Sequence, residues 1–160
     1  TDYEFRKDDN VLYNKTKHKY RADGLKLYAP INNYASTFIK ELRKNDYFII
    51  LLTARPYHKI YRIYNDTLKC LKNNDIEYDA IIWEQNKSEY VLQHLVNNNI
   101  VFSVDDDIKN ANNFASVGKF TSYLIKNALL YKDECDMEEK INITLDDRVK
   151  VITSLQEIEI

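Results

Sequence analysis

The sequence predicts a doubly wound, Rossmann-like α/β fold: a mainly parallel sheet with helices on both faces, preceded by a small flap or cap. Three observations carry that prediction. Short apolar runs at 47–52, 80–83, 100–104 and 120–125 have the length and composition of strands buried on both faces. Between them lie segments with apolar residues at helical spacing. The intervening stretches are long enough for right-handed parallel crossovers.

Each element follows from its own residues. Positions 1–29 are polar and aromatic without a clean period and read as a flap with a short helix at most. Ala35, Phe38, Ile39 and Leu42 then fall at i, i+3, i+4 and i+7, one stripe of a helix that Asn45 closes before the strand at 47–52. A second helix follows Pro56, with Ile60, Tyr64, Leu68 and Leu71 on one side, and Asn73-Asn74 ends it ahead of the strand at 80–83. Lys87 opens a third helix that buries Val91, Leu92 and Leu95, and Asn97-Asn98-Asn99 turn the chain into the strand at 100–104. A fourth carries Ile108, Ala111 and Ala115, stops at Gly118 and leads to the strand at 120–125. The charged stretch 133–140 is expected to be exposed. Segments 141–145 and 149–153 read as strands around an Asp146-Asp147 hairpin turn, and Ser154 as the cap of a short closing helix. With only two glycines, the chain is expected to place Asn at left-handed helix ends, Asn45 and Asn74 among them, and Gly118 in the same role.

At 160 residues the chain suits one compact domain, 1–160, burying roughly 70% of its unfolded surface. Within it, 1–29 is the flap, 30–127 the α/β core and 128–160 an extension completing that core. A net charge of −2 gives no broad basic field for nucleic acid, although Lys15, Lys17, Lys19 and Arg21 cluster early, as a polyanion site or a solvated flap. Cys70 and Cys135 have no metal or redox spacing, and no apolar stretch reaches the length of a membrane span or resembles a signal segment. A reduced, intracellular (cytoplasmic) setting is the expectation.

Two segments carry the chemistry. The run ending Leu51-Leu52-Thr53-Ala54-Arg55 presents a hydroxyl, an amide and a guanidinium at a strand end, and the run ending Val104-Asp105-Asp106-Asp107 presents three carboxylates. Neighbouring parallel strands deliver their carboxyl ends to one crevice. Thr53 with the Ala54 amide suits an anion at a strand-to-helix turn, though Thr there also commonly caps the next helix. Arg55 suits a phosphate or a nearby carboxylate equally well. Lys87 at a helix start opposes the macrodipole, which favours a ligand role over a stabilising one, so its removal is expected to cost little stability. Three adjacent aspartates repel one another. A magnesium ion is their natural partner, with Asp105 and Asp106 as ligands, while Asp107 also serves as the N-cap of the next helix. The tyrosines at 57, 61 and 64 read as packing at helical spacing rather than base stacking.

Thr53 after a hydrophobic strand, Lys87 opening a helix, and Asp105-Asp106 with Asn110 after a second strand together resemble the haloacid dehalogenase superfamily of phosphohydrolases. The forms Leu-Thr-Ala-Arg and Val-Asp-Asp-Asp look closest to its deoxynucleotidase and polynucleotide-kinase phosphatase branches. The resemblance spans roughly residues 30–125. It implies a magnesium-dependent phosphatase working through an aspartyl-phosphate, with Thr53, Lys87, Asp105 and Asp106 in the catalytic set and Thr53, Ala54, Arg55 and Lys87 holding a phosphorylated small molecule, a nucleotide or a nucleic-acid end. The family's first motif, Asp-x-Asp-x-Thr at the end of the central strand, is not in the sequence. The nucleophile is therefore expected outside these residues, on a segment ahead of Thr1 or on a partner chain. Otherwise an internal segment such as 11–13 or 149–153 fills the gap, and the chain is a catalytically silent module that binds a partner.

Overall fold

The structure, a computed structural model, describes residues 10–126 and 145–160. It is a mixed α/β fold with parallel strands and flanking helices, divided into two compact units, Thr1–Gln85 with Ile160 and Asn86–Glu159. The charged stretch 133–140 and the strand expected at 141–145 lie outside the described residues, except for Leu145.

The first unit opens with α1 (Asn10–Ala22), a helix of 13 residues where a flap with a short helix was expected. It escapes a search for aliphatic periodicity because its half-buried residues are Tyr13, Lys17, Tyr20 and Arg21. They lie at helical spacing, so the stripe is real but aromatic and cationic. Val11 to Tyr13, a candidate replacement strand, belongs to this helix. Gly24, with φ 81°, then turns the chain into a short 3-10 helix (Leu25–Tyr28). The Arg62 guanidinium fills the space beside Gly24, so a side chain there would meet both strain and a clash.

Helix α2 (Ala35–Lys44) buries Phe38, Ile39 and Leu42, the predicted stripe. It ends in a Schellman motif: the Asp46 N–H donates to the Arg43 carbonyl and the Tyr47 N–H to that of Leu42. Helix α3 (Arg62–Asn73) ends identically, with Asp75 donating to Lys72 and Ile76 to Leu71. The left-handed residues are Asp46 (φ 60°) and Asp75 (φ 53°), one position beyond the expected Asn45 and Asn74. Each Asn instead sits at the C-cap, and its side-chain amide donates to the carbonyl four residues back, Glu41 or Cys70.

β1 (Ile50–Thr53) runs parallel to β2 (Ala80–Trp83), in register from Ile50 with Ala80 to Thr53 with Trp83. Asp79 ties this pair to α2: one oxygen accepts from Arg43 Nη1 and the other from the Ile49 N–H, both at 2.7 Å. Those bonds, the Ile49 amide first, hold the Asp79 carboxyl below its ordinary range. α3 turns Ile63, Asp66, Thr67 and Cys70 inward rather than the expected side of Tyr64, Leu68 and Leu71. Tyr64 packs its ring with Tyr57 and Trp83 at the unit's surface.

In the second unit, α4 (Lys87–Tyr90) passes into a π-helical turn (Val91–Leu95). The wider turn rotates Leu92 to half exposure, so of the three apolar residues expected inside only Val91 is buried. β3 (Phe102–Asp105), β4 (Thr121–Ile125) and β5 (Val149–Ile152) form a parallel sheet in the order β3-β4-β5. α5 (Ile108–Val117) lies against all three, burying Ala111, Phe114 and Ala115. Gly118 after it is extended (φ −140°), not left-handed. Glycine is needed there because the Phe120 ring occupies the space of a Cβ.

β5 pairs parallel to β4, and the first strand of the hairpin expected around Asp146-Asp147 lies outside the described residues except for Leu145. Asp146 and Arg148 form a two-pronged ion pair, the Asp146 N–H donates to Asn112 on α5 and Arg148 donates to the Gly118 carbonyl. The entry to β5 is thus anchored on the helix that precedes β4. Since 149–152 partners β4, it does not serve as the replacement central strand. Ser154 caps a closing 3-10 helix (Leu155–Glu157) with a full capping box.

Candidate functional site

The polar groups singled out above fall into both units. Thr53, Ala54 and Arg55 belong to the first, Lys87, Asp105 and Asp106 to the second.

In the second unit, β3 delivers Asp105 at its carboxyl end, 8% exposed. Its Oδ2 accepts from Lys87 Nζ at 2.7 Å, and the two side chains are only 6% and 15% exposed. Its Oδ1 accepts from the Asp107 N–H at 2.9 Å and from Asn110 Nδ2 at 3.0 Å. Local chemistry places each partner. Asn86 N-caps α4, accepting from the Glu89 N–H, so Lys87 is the first helical residue as expected. Asp107 N-caps α5 by accepting from the Lys109 and Asn110 amides, which points Asn110 back at β3.

This geometry revises two expectations. The aspartate cluster is compensated by an internal cation and a cap: Lys87 answers Asp105, α5 occupies Asp107, and Asp106 faces solvent. Lys87 is also no surface-facing ligand that can be removed freely, because truncating it strands a buried carboxylate.

Among the described residues, no group of three or more acids, histidines or cysteines is arranged to hold a metal. A carboxylate has about four acceptor positions, of which protein donors fill three on Asp105. One position on Oδ2 is left over, and Asp106 beside it is exposed. They do not fit a closed cage of protein ligands.

In the first unit, Thr53 ends β1 and its Oγ1 accepts from the Arg55 N–H at 3.3 Å, which leaves its proton for another acceptor. The turn that follows is not a strand-to-helix turn. Residues 54–61 intervene before α3, so no helix amino terminus backs Thr53. The Ala54 carbonyl accepts from Gln85 Nε2, and the Thr53 carbonyl from the Glu84 N–H. Among the described residues Arg55 pairs with no carboxylate: its Nη1 donates to Thr67 Oγ1 at 2.8 Å, on the buried face of α3. Burial, with the charge of Arg21 adding to it, holds the Arg55 guanidinium below its ordinary pKa.

Sequence reasoning missed Asp66 and Thr67, both nearly fully buried, and with them Arg62, which answers Asp66. Asp66 accepts from Arg62 Nε at 2.8 Å, and Arg62 also donates to the Ala22 carbonyl at the end of α1. The signal was present as the spacing of Ile63, Asp66, Thr67 and Cys70, visible only if polar residues count as core.

Compared with known proteins, the chain matches no family model, no curated protein and no solved structure.

Proposed function

We propose that the chain is the larger part of a magnesium-dependent phosphohydrolase of the haloacid dehalogenase type, built on a doubly wound sheet and acting inside cells on a phosphorylated small molecule, nucleotide or nucleic-acid end. One observation carries the reading: a buried lysine–aspartate pair, steadied by Asn110, at the carboxyl end of a parallel strand. Ligand crevices in open α/β sheets form at those ends.

In this reading Lys87 offsets the charge of the phosphate and of the nucleophilic carboxylate. Asp105 orients Lys87, and Asp105 and Asp106 hold magnesium, which when bound neutralises charge on the phosphoryl oxygens. Thr53, Ala54 and Arg55 hold the substrate's phosphate through hydroxyl, amide and guanidinium. The Asp-x-Asp strand that supplies nucleophile and general acid must come from outside these 160 residues, ahead of Thr1 or from a partner chain. The 160-residue chain by itself is expected to be inactive.

A second reading has its own observation. With three of its acceptor positions filled by protein donors, Asp105 also has the form of a structural ion pair that fixes α4 and α5 on β3. The chain is then a catalytically silent module of the same fold.

Magnesium-dependent hydrolysis of an aryl phosphate by the complete gene product separates the two. The hydrolase reading expects turnover that Asp105→Asn lowers by about 10²-fold or more. Turnover indifferent to Asp105→Asn, or none in a complete chain that carries the Asp-x-Asp strand, would leave the silent module.

A further inference from the structure

Among the described residues of the first unit, two part-buried arginines have no carboxylate partner. Arg55 is half-buried, and its sole side-chain hydrogen bond among the described residues goes to the neutral hydroxyl of Thr67. Arg21, in the last turn of α1, has a buried Nε with no hydrogen-bond partner among the described residues. Both are tied to α3: α1, which carries Arg21, packs on it, and Arg55 in the preceding loop bonds to its Thr67. The Ala22 carbonyl, next to Arg21, is held by Arg62, and Thr67, which holds Arg55, lies little more than a turn further along α3. The nearby carboxylates are committed elsewhere, Asp66 to Arg62 at 2.8 Å and Asp23 to Lys19 at 3.0 Å.

A buried guanidinium without an anion is costly, and a second one within electrostatic reach raises that cost. Guanidinium forks match oxyanions in shape and charge. The geometry points to a site where Arg21 and Arg55 together bind a phosphate dianion, free or as the phosphate group of an ester. Thr67 fixes the Arg55 fork, and the docking of α1 on α3 supplies the second cation. The site shares Arg55 with the substrate set proposed above but does not rest on that reading: it requires no hydrolysis, and its test, through Arg21, reads binding alone.

The experiment is thermal unfolding of the whole chain in chloride buffer, with and without inorganic phosphate at matched ionic strength, for the native protein and for Arg21→Gln. Saturating phosphate is expected to raise the native Tm by about 3 °C or more. In Arg21→Gln the phosphate-induced rise should largely vanish, with affinity by calorimetry weakened about tenfold. The distinguishing sign is a crossover. Without phosphate, Arg21→Gln should melt at or above the native temperature because a like-charge repulsion is gone, and with phosphate it should melt below it. An Arg21 that merely packs α1 onto α3 would lower Tm in both buffers, which overturns the proposal. So does a native protein unmoved by phosphate, or a full rise kept by Arg21→Gln. Glycerol phosphate in place of phosphate identifies the source: a larger rise assigns the site to an ester, and a rise no larger assigns it to the free ion.

Discussion

Lys87 and Asp105 show how one contact changes the meaning of a residue. In the sequence, a lysine at a helix start argues for a ligand, since the helix dipole opposes it. In the structure it is also the counter-ion of a carboxylate that is 8% exposed, and both functions draw on the same charge. Breaking a buried pair from one side leaves the other charge without compensation. Lys87→Met is therefore expected to lower unfolding stability by about 3 kcal/mol, and Lys87→Met/Asp105→Asn by clearly less, with a coupling of at least about 1 kcal/mol in urea denaturation. A single variant within about 0.5 kcal/mol of the native protein would show that the pair is not shielded from water. Asn110 was legible in advance from its spacing to Asp105. Thr67 and Asp66 were not, because a polar residue inside an apolar stripe is read from sequence as an interruption of the stripe.

At the scale of elements, the strand at 80–83 was legible residue for residue, and the stripe of Phe38, Ile39 and Leu42 was placed correctly. Apolar runs and aliphatic spacing report burial directly, so these were the easy elements. α1 was missed because it buries Tyr13, Tyr20 and the stems of Lys17 and Arg21, side chains that sequence patterns score as polar. β5 was legible as a strand after the turn chemistry of Asp146-Asp147, but its neighbour in the sheet was not. What placed it beside β4 was a set of long-range bonds to Asn112 and Gly118, which no local pattern encodes. The paired helix ends give a test of their own. Asp46 takes a left-handed conformation that Gly accepts without strain and Ala does not. Asp46→Ala should cost about 1 kcal/mol and Asp46→Gly should match or exceed native stability, both measured by urea denaturation.

At the scale of the molecule, three carboxylates among the described residues are held more acidic than usual. Asp146 is held down to about 2 by the hydrogen bonds of Arg148, Asp79 is lowered by the Ile49 amide and Arg43, and Glu157 by Thr153 and Ser154. Each is more acidic folded than unfolded, so each contributes stability above its unfolded pKa and loses it as pH falls through its folded value. Tm should hold steady down to about pH 4.5 and then decline towards pH 2. Asp146→Asn should flatten the lower part of that decline. A Tm independent of pH between 4.5 and 2 would contradict the bonding described for all three. Among the described residues, no helix is long and apolar enough to cross a membrane.

The inward face of α3 has one more consequence. Cys70 is 3% exposed, its backbone carbonyl tied by Asn74 and its neighbour one turn back the Thr67 that steadies Arg55. A thiol so enclosed can meet a reagent only when that helix swings away from its strands. With Cys135 replaced, the pace of its modification becomes a clock for the opening of the first unit, one that ticks under fully native conditions.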